Sequence, residues 1–366
     1  MVLSLAVGRL GLRTIIWERA PELREVGAGL LLTSNAMWVL DRLGIGNATS
    51  AAGRLIHTWQ ILDRFGGVLQ TFTKGRDRPL SISIARSAFQ DVLRRELPAE
   101  VLHLSHELVA LERPPDETKT IARTSGGDSC MADLVIGADG GKSIVRKLIF
   151  GSNDLRECRY VGWRALVDHV PKGWDDGRIT ESWGGGCRFG IAPISPTRSY
   201  WYATENIRPG WGLPPEQYKA HLLAKFHHWH RPISDMIEAT PPENILLNSI
   251  ADHPQLPRWS RGRVGLLGDA AHLMTPNLGQ GAAMALEDAL VLADCLRQCG
   301  PRESALLNYE RRRRWRAAYV VWQSRQVGRM IQVELPWLSW LRDTVLRLTP
   351  DALGMLSMAP VFDFRA

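Results

Sequence analysis

The pattern of apolar and polar positions changes twice along this chain of 366 residues. Up to about residue 155, short apolar runs alternate with helical patterns: residues 2–10 predict a helix, 14–17 a buried strand and 133–137 another. From about 156 to 255 the apolar runs are short and separated by tight turns, which is typical of an antiparallel sheet. After residue 281 the pattern is helical to about residue 347, and an apolar tail follows over 350–366. The sequence therefore predicts an α/β (α+β) fold in which an antiparallel sheet is inserted into a layered domain.

The most informative stretch is 262–282. A buried strand ends just before Asp269, and Gly279, Gln280 and Gly281 then open a long helix. A carboxylate at the end of a strand can accept hydrogen bonds from sugar-like hydroxyls. A helix N-terminus beside glycines offers free N–H groups and a positive dipole end. Together these features suit a cofactor that carries both a polyol and an anion-accepting ring.

The order of these residues resembles the second flavin motif of the FAD-dependent aromatic hydroxylases, the family of the p-hydroxybenzoate, salicylate and urate hydroxylases and the related zeaxanthin epoxidases. A second match is Asp139-Gly140 with Ser143 and Arg146 downstream. The resemblance covers nearly the whole chain. It implies an FAD-binding, Rossmann-like doubly wound sheet lacking its first strand, an inserted substrate domain and C-terminal helices. The segments implied are 1–155 (first part of the FAD-binding domain, truncated), 156–255 (substrate-binding antiparallel sheet), 256–300 (second part of the FAD-binding domain) and 301–366 (C-terminal helical region).

The resemblance also implies a set of cofactor residues. Glu18 with Arg19 corresponds to the adenosine site, since an acidic residue at a strand end typically takes the ribose hydroxyls. Arg86 corresponds to a contact with the phosphate or ribityl region, and Asp139 to a position near the pyrophosphate and the NAD(P)H approach. Asp269 is expected to accept the ribityl hydroxyls. The glycine turn over 26–30 passes near the flavin in the family, and the backbone expected to face the isoalloxazine ring is that of Leu278, Gly279, Gln280, Gly281 and Ala282.

Family members reduce FAD with NADH or NADPH and then use O₂, through a flavin C4a-hydroperoxide, to hydroxylate or epoxidise an aromatic or olefinic small molecule. Strand alternation places Arg188 on one face of its strand, and Tyr200 with Tyr202 on one face of the next. A cationic Arg and a phenol here resemble the substrate-polar pair of urate-hydroxylase-like members. Arg164, after Gly162-Trp163, is a further candidate. A purely structural role for each of the four side chains stays open.

The family opens with a strand and a GxGxxG turn, whereas Met1 here already lies within the predicted first helix. Because that strand is central in a doubly wound sheet, we expect the chain as written to bind FAD weakly. About 15 to 20 further residues, enough for a strand and a GxGxxG turn, would be needed before Met1 for full binding. A misassigned start is the favoured explanation. An inactive or weakly binding truncated relative is the alternative.

Composition and charge limit the other classes of protein to which the chain could belong. The 45 basic and 38 acidic residues give a charge of +7, which favours anionic cofactors. The basic run at 311–316 is expected to form a solvated or ion-paired helix face rather than to contact nucleic acid. Five scattered cysteines predict thiols and neither disulfides nor a metal site. The lack of a membrane-length apolar run and of a signal peptide predicts a cytoplasmic monomer or homodimer. Asp269 and His272 invite a hydrolase interpretation, but no Gly-x-Ser-x-Gly elbow accompanies them.

Overall fold

The computed structural model describes residues 1–23, 29–74, 79–114, 118–174, 177–363 and 365. Residues 26–28 of the predicted glycine turn lie outside these ranges. The helices of the described residues, numbered in chain order, are α1 Val2–Gly8, α2 Ser34–Arg42, α3 Gly46–Ala52, α4 Arg86–Arg95, α5 Ile144–Phe150, α6 Tyr218–Phe226, α7 Ile233–Ala239, α8 Asp269–His272, α9 Gly281–Cys299, α10 Glu303–Ile331, α11 Pro336–Leu348 and α12 Asp351–Phe362.

The strands are numbered in the same way. They are β1 Ile16–Trp17, β2 Gly29–Thr33, β3 Arg54–Ile56, β4 Thr58–Asp63, β5 Val68–Thr73, β6 Ser81–Ala85, β7 Leu102–His103, β8 Leu108–Glu112, β9 Thr120–Thr124, β10 Ser129–Ala132, β11 Val135–Gly137, β12 Arg156–Val167, β13 Arg178–Trp183, β14 Cys187–Pro193, β15 Ser199–Asn206, β16 Leu246–Asp252, β17 Ser260–Arg261 and β18 Val264–Leu266.

The first layer of the molecule contains parallel strand pairs covered by helices. Strand β1 pairs with β7 and β11 pairs with β18, both in parallel, as expected for a nucleotide-binding sheet. Helix α9 packs against α1, α2 and α10. Their buried apolar side chains form one core, in which Leu40, Leu266 and Leu292 have no solvent exposure. The predicted fold class is confirmed.

The second layer is a seven-stranded sheet with the order β16-β12-β15-β14-β13-β4-β5. Its neighbours are antiparallel except for β13 and β4, which are parallel. The hairpin β4–β5 thus comes from residues 58–73, within the segment assigned above to the FAD-binding domain, and lies beside strands from the inserted segment. Helices α6 and α7 cover one face of the sheet over Trp163 and Trp201. The other face is turned towards the first layer.

The C-terminal region is helical further than the sequence pattern indicated. The predicted apolar tail forms helix α12 in the structure, starting after Pro350. All five cysteines are free thiols. Every helix within the described ranges is too short or too polar to cross a membrane.

Candidate active site

The site is built around the turn between β18 and α9. Gly268 has φ 64° and Gly279 has φ 62°, which are left-handed values that glycine adopts without a steric cost. Helix α9 makes its first bond from the Met284 N–H to the Gln280 carbonyl at 2.8 Å. The N–H groups that precede Met284 therefore point out of the open helix end, as at any helix N-terminus.

Asp269 lies at this open end. A Cβ added to Gly281 would be 3.7 Å from Asp269 Oδ1, so the carboxylate and the helix start face each other closely. Burial raises the pKa of Asp269 above its usual range, and nearby His272 and Arg86 oppose that shift. Among the described residues the carboxylate has no hydrogen-bond or ion-pair partner. A half-buried acceptor without a donor, beside free N–H groups, fits the hydroxyls and the anionic ring of FAD.

The side chain of Gln280 is used within the protein rather than towards a ligand. Its Nε2 donates to Thr33 Oγ1 at 2.7 Å, and its Oε1 accepts from Asn35 Nδ2 at 2.9 Å. Asn35 Nδ2 also donates to Glu287 Oε1 at 2.6 Å. Consequently the side chain of Gln280 is not available to a ligand, and only the backbone of this residue could contact a flavin. Thr33 and Asn35 were missed by sequence reasoning, because they lie about 245 residues away from Gln280 along the chain.

A buried ion-pair cluster between α9 and α10 stabilises the same turn. Arg313 donates to Glu287 Oε2 at 2.6 Å and to Asp288 Oδ1 at 2.7 Å, and Arg316 donates to Glu287 Oε2 at 2.7 Å. Asp288 also bonds to His272 Nε2 at 2.6 Å and accepts from the Gly268 N–H at 3.0 Å. Although burial alone would raise it, His272 and Arg313 hold the pKa of Asp288 well below its usual range.

This cluster accounts for one expectation from the sequence, because the basic run at 311–316 forms ion pairs, including Arg312 with Asp294. His272 is a packed, hydrogen-bonded side chain, and its ring lies 5.1 Å from that of Trp259.

The Asp139-Gly140 motif is tied to the 262–282 stretch by an arginine. Ser143 Oγ donates to Asp139 Oδ1 at 2.5 Å and the Val145 N–H donates to Asp139 Oδ2 at 3.1 Å, so Asp139 caps the start of α5. Buried Arg146 then reaches the carbonyls of Ala270 and Ala271 at 3.3 and 3.4 Å. The two motifs therefore form one unit, and a pyrophosphate role for Asp139 stays a prediction.

Glu18 and Arg19 lie at the end of β1, apart from that unit. Glu18 Oε1 accepts from the Ala20 N–H at 2.9 Å, and Arg19 is exposed. Among the described residues neither side chain contacts Asp269 or Asp139. Their adenosine role stays a prediction, as does that of Arg86, which is exposed at the start of α4.

The four predicted substrate residues lie on one face of the seven-stranded sheet. In the register of the strands, Arg164 is opposite Tyr202, Tyr202 is opposite Gly190, and Tyr200 is opposite Ala192. The Tyr202 ring occupies the space above Gly190, where an added Cβ would be 2.2 Å from Tyr202 Cζ. In the same way, a Cβ on Gly29 of strand β2 would be 2.4 Å from Tyr200 Cγ, so Tyr200 contacts the first layer.

Arg188 is fully buried and ion-paired. Its Nη1 lies 3.3 Å from Glu181 Oε1, and its Nη2 donates to Asn277 Oδ1 at 2.8 Å. Tyr202 donates its hydroxyl proton to Glu181 Oε2, and Trp183 Nε1 donates to Glu181 Oε1 at 2.5 Å. Because Asn277 lies two residues before Gly279, this network connects the sheet face to the flavin-type turn.

Glu181 and Asn277 were missed by sequence reasoning. The available signal for Glu181 was an acidic side chain in the middle of a buried strand, which requires a partner. Arg188 Nε and Arg164 Nε remain buried without a partner among the described residues. Burial raises the pKa of Tyr202 well above its ordinary value, so its hydroxyl stays protonated.

The nucleotide-type layer, the flavin-type turn and the adjoining sheet face define a flavin-dependent oxidoreductase. A family model described as an FAD binding domain matches residues 1–324, and the chain belongs to this family, that of the FAD-dependent aromatic hydroxylases. Aurachin C monooxygenase/isomerase of Stigmatella aurantiaca is 36% identical over 353 residues, which cover 95% of this chain and 91% of that protein. The 2-heptyl-3-hydroxy-4(1H)-quinolone synthase of Pseudomonas aeruginosa is 33% identical over 356 residues, covering 94% and 90%.

A solved structure supports the fold. Klebsiella pneumoniae HpxO complexed with FAD and uric acid superposes with a TM-score of 0.91 at 24% identity, covering 99% of this chain and 93% of that one. The likeness therefore extends through both layers and the C-terminal helices.

Proposed function

We propose that this protein is an FAD-dependent monooxygenase that uses NADH or NADPH and O₂ to hydroxylate or epoxidise an electron-rich aromatic small molecule. One observation carries the proposal. The unpartnered, half-buried carboxylate of Asp269 faces the open start of α9, and Asn277 of the same turn bonds Arg188 on the sheet face that carries Tyr202. A cofactor on the turn would thus lie beside a substrate on the sheet.

For the substrate we propose a flat, bicyclic nitrogen heteroaromatic of the quinolone class with an apolar tail. Two relatives that cover most of this chain carry names of quinolone and aurachin chemistry. Tyr200 is packed by two apolar clusters, one with Ile56, Ile179 and Ala192 and the other with Ala85, Leu166 and Ile194. Such walls favour an aromatic ring and an alkyl chain over a strongly polar substrate.

The residues of the protein would bind FAD and the substrate, orient them relative to each other and exclude water. FAD, when bound, supplies electron transfer from the nicotinamide and activation of O₂. Asp269 would accept hydrogen bonds from the ribityl hydroxyls, and the N–H groups of Gly281 and Ala282 would stabilise negative charge on the ring. The apolar clusters around Tyr200 would keep the reacting atoms out of water.

Tyr202 would position the substrate. Its proton is donated to Glu181, so the phenol oxygen is left as an acceptor for a substrate N–H or O–H. Arg188 balances the charge of Glu181, which keeps the pair neutral at the buried sheet face. The phenol and carboxylate therefore act as a fixed acceptor for the substrate.

The test is a coupling measurement on the purified, flavin-containing protein. With 2-alkyl-4-quinolones we expect NAD(P)H oxidation, O₂ uptake and a product that has gained one oxygen atom, and weaker turnover of urate and 3-hydroxybenzoate. Tyr202→Phe removes the bond to Glu181 and should lower product formed per NAD(P)H by about tenfold with unchanged flavin content. Tyr200→Phe should act in the same direction, whereas Tyr319→Phe, an exposed tyrosine on α10, serves as the control.

Two outcomes would contradict the proposal. One is a flavin-containing protein whose NAD(P)H oxidation no aromatic compound stimulates. The other is normal coupling in both Tyr202→Phe and Tyr200→Phe, which would place the substrate elsewhere.

A further inference from the structure

Helix α11 is oriented with its apolar side towards solvent. Trp337, Trp340 and Leu348 are 62%, 67% and 77% exposed. Together with exposed Leu341 and Val345 they recur at spacings of three and four residues, so they form one continuous stripe along the helix. Single exposed apolar residues are ordinary, but a whole helix face of them is not.

The opposite side of α11 fixes this orientation through a buried arginine. Arg342 donates to the carbonyls of Ile331 at 2.9 Å and Gly184 at 3.3 Å, and its guanidinium lies 5.4 Å from the centre of the Trp183 ring. Leu346 packs with Ile61 and Trp183. Because rotating the helix would leave the Arg342 charge and those carbonyls unsatisfied, the apolar stripe cannot turn inward.

The neighbouring elements extend the stripe. Helices α11 and α12 both pack against β5, and Gly354 of α12 lies against Gln70. On its outer side α12 exposes Leu353 and Leu356. Arg347 bonds Asp63 at 3.1 Å, which places the end of α11 beside the β4–β5 hairpin and its exposed Phe65. The resulting surface, called here the apolar C-terminal face, consists of Trp337, Trp340, Leu341, Val345, Leu348, Leu353, Leu356 and Phe65.

The hydroxyl groups along this face bond to the backbone of the chain itself. Thr344 Oγ1 donates to the Trp340 carbonyl at 2.8 Å, Thr349 Oγ1 to the Val345 carbonyl at 2.7 Å and Ser357 Oγ to the Gly354 carbonyl at 2.7 Å. Protein interfaces carry about one hydrogen bond per 100–200 Å². A face whose hydroxyls all bond its own backbone suits hydrocarbon better than another protein.

Cations lie at the edges of the face. Arg64 stacks over the exposed Phe65 ring at 4.7 Å, and Arg329 is exposed at the end of α10. Within the described ranges neither has an acidic partner. Of three nearby acids, Asp63 is ion-paired with Arg347, whereas Glu334 and Asp351 accept from neutral donors, the Asn206 amide and the Thr71 N–H, and keep their charge. Tryptophans on an apolar stripe with arginines at its rim are typical of helices that lie in a membrane interface.

We propose that the protein binds the surface of a lipid bilayer through the apolar C-terminal face. Trp337, Trp340 and Leu348 would enter the boundary between headgroups and acyl chains. Arg64 and Arg329 would bind the phosphates of anionic lipids. The helices lie on the membrane and do not cross it. This inference does not depend on the proposed substrate.

The experiment is cosedimentation of the full chain with vesicles of phosphatidylcholine and phosphatidylglycerol. Exchanging two apolar side chains, in Trp340→Ser with Leu348→Ser, should lower the partition coefficient by at least about tenfold. Trp315→Ser is the matched control, because Trp315 is a similarly exposed tryptophan on α10. It is not one of the residues of the apolar C-terminal face, although the neighbouring Arg316 contacts the end of α12 at the carbonyls of Pro360 and Val361. Arg64→Gln with Arg329→Gln should weaken binding to anionic vesicles while leaving the weaker binding to pure phosphatidylcholine unchanged.

Far-UV circular dichroism checks that each variant is folded, which the exposure of these positions favours. Three results would overturn the proposal. They are a wild-type chain that stays in the supernatant, an equal loss with Trp315→Ser, and a concentration-dependent dimer in light scattering that Trp340→Ser with Leu348→Ser dissolves. The last result would assign the face to a second copy of the chain.

Discussion

Two acidic regions lie on either side of the start of α9 and differ in their partners. Glu287 and Asp288 are fully buried and together bind Arg313, Arg316, His272 and a backbone N–H. Asp269 is half-buried and has no partner among the described residues. Burial without compensation costs free energy in the cofactor-free protein. The paired acids therefore hold the turn, whereas the unpaired acid is left for a ligand.

The largest effect is expected when the supporting cluster loses an arginine. Arg313→Met leaves Glu287 and Asp288 with fewer positive neighbours in a dry environment, so the free energy of unfolding should fall by about 3–5 kcal/mol. Urea denaturation followed by circular dichroism measures it. In the control, Arg312→Met removes a partly exposed partner of Asp294 and should cost about 1 kcal/mol or less. Equal losses in the two variants would refute a supporting role for the cluster.

The next effect concerns the cofactor. Asp269→Ala should weaken FAD binding by about 1.5–3 kcal/mol, or roughly 10–150-fold, because the ribityl hydroxyls lose a charged acceptor. The stability of the cofactor-free protein should not fall. Titration with FAD, followed by flavin fluorescence, gives the dissociation constant, and Asp294→Ala is the control. An unchanged dissociation constant in a folded Asp269→Ala protein would show that Asp269 does not bind FAD.

A smaller effect is expected at the residue that joins the two regions. Asn35→Ala takes a donor from both Gln280 and Glu287. Since Glu287 keeps its two arginines, we expect a loss of about 1–2 kcal/mol in unfolding, accompanied by weaker FAD binding. Thermal and urea unfolding with and without FAD separate the two contributions. Asn308→Ala, at a partly exposed amide, is the comparison, and if it proves as harmful then the bridge has no special role.

The smallest effect is a dependence on pH. Burial raises the pKa of Asp269, so its charged form opposes folding in the absence of FAD, and stability falls as pH rises from about 3.9, the ordinary carboxyl pKa, through the raised folded value. Cofactor-free Asp269→Asn should therefore melt at a higher temperature than the wild type at neutral pH. The difference should vanish in acid. A difference that is independent of pH would show that titration of Asp269 is not its cause.

How much the sequence predicts depends on how local each feature is. The turn from Asp269 to Ala282 is formed by consecutive residues. The strand before it, its glycines and the helix start after it were all predicted. The placement of Tyr200 and Tyr202 on one face of their strand also followed, because strand alternation has a fixed period. That Arg164 lies opposite Tyr202 on the same sheet face was not predicted, since it depends on the pairing of β12 with β15. The role of Arg188 was harder to predict, since its partner Glu181 is defined by which strands are neighbours.

Features that depend on strand order or on distant contacts could not be predicted. The bridge from Asn35 to Gln280 spans 245 residues. No alternation pattern shows that β4 pairs with β13. Helix α11 has an ordinary amphipathic pattern, and the contacts of Arg342 and Leu346 on its inner side decide that its apolar stripe faces outward.

The parallel pairing of β4 with β13 has a consequence for protein engineering. Grafting residues 156–255 from a relative, in order to exchange substrate preference, would transfer five of the seven strands and leave the recipient's β4–β5 hairpin against a foreign β13. A working chimera needs residues 58–73 from the same donor as the graft. The residues that must be exchanged together to change specificity, 58–73 and 156–255, are therefore not contiguous in the sequence.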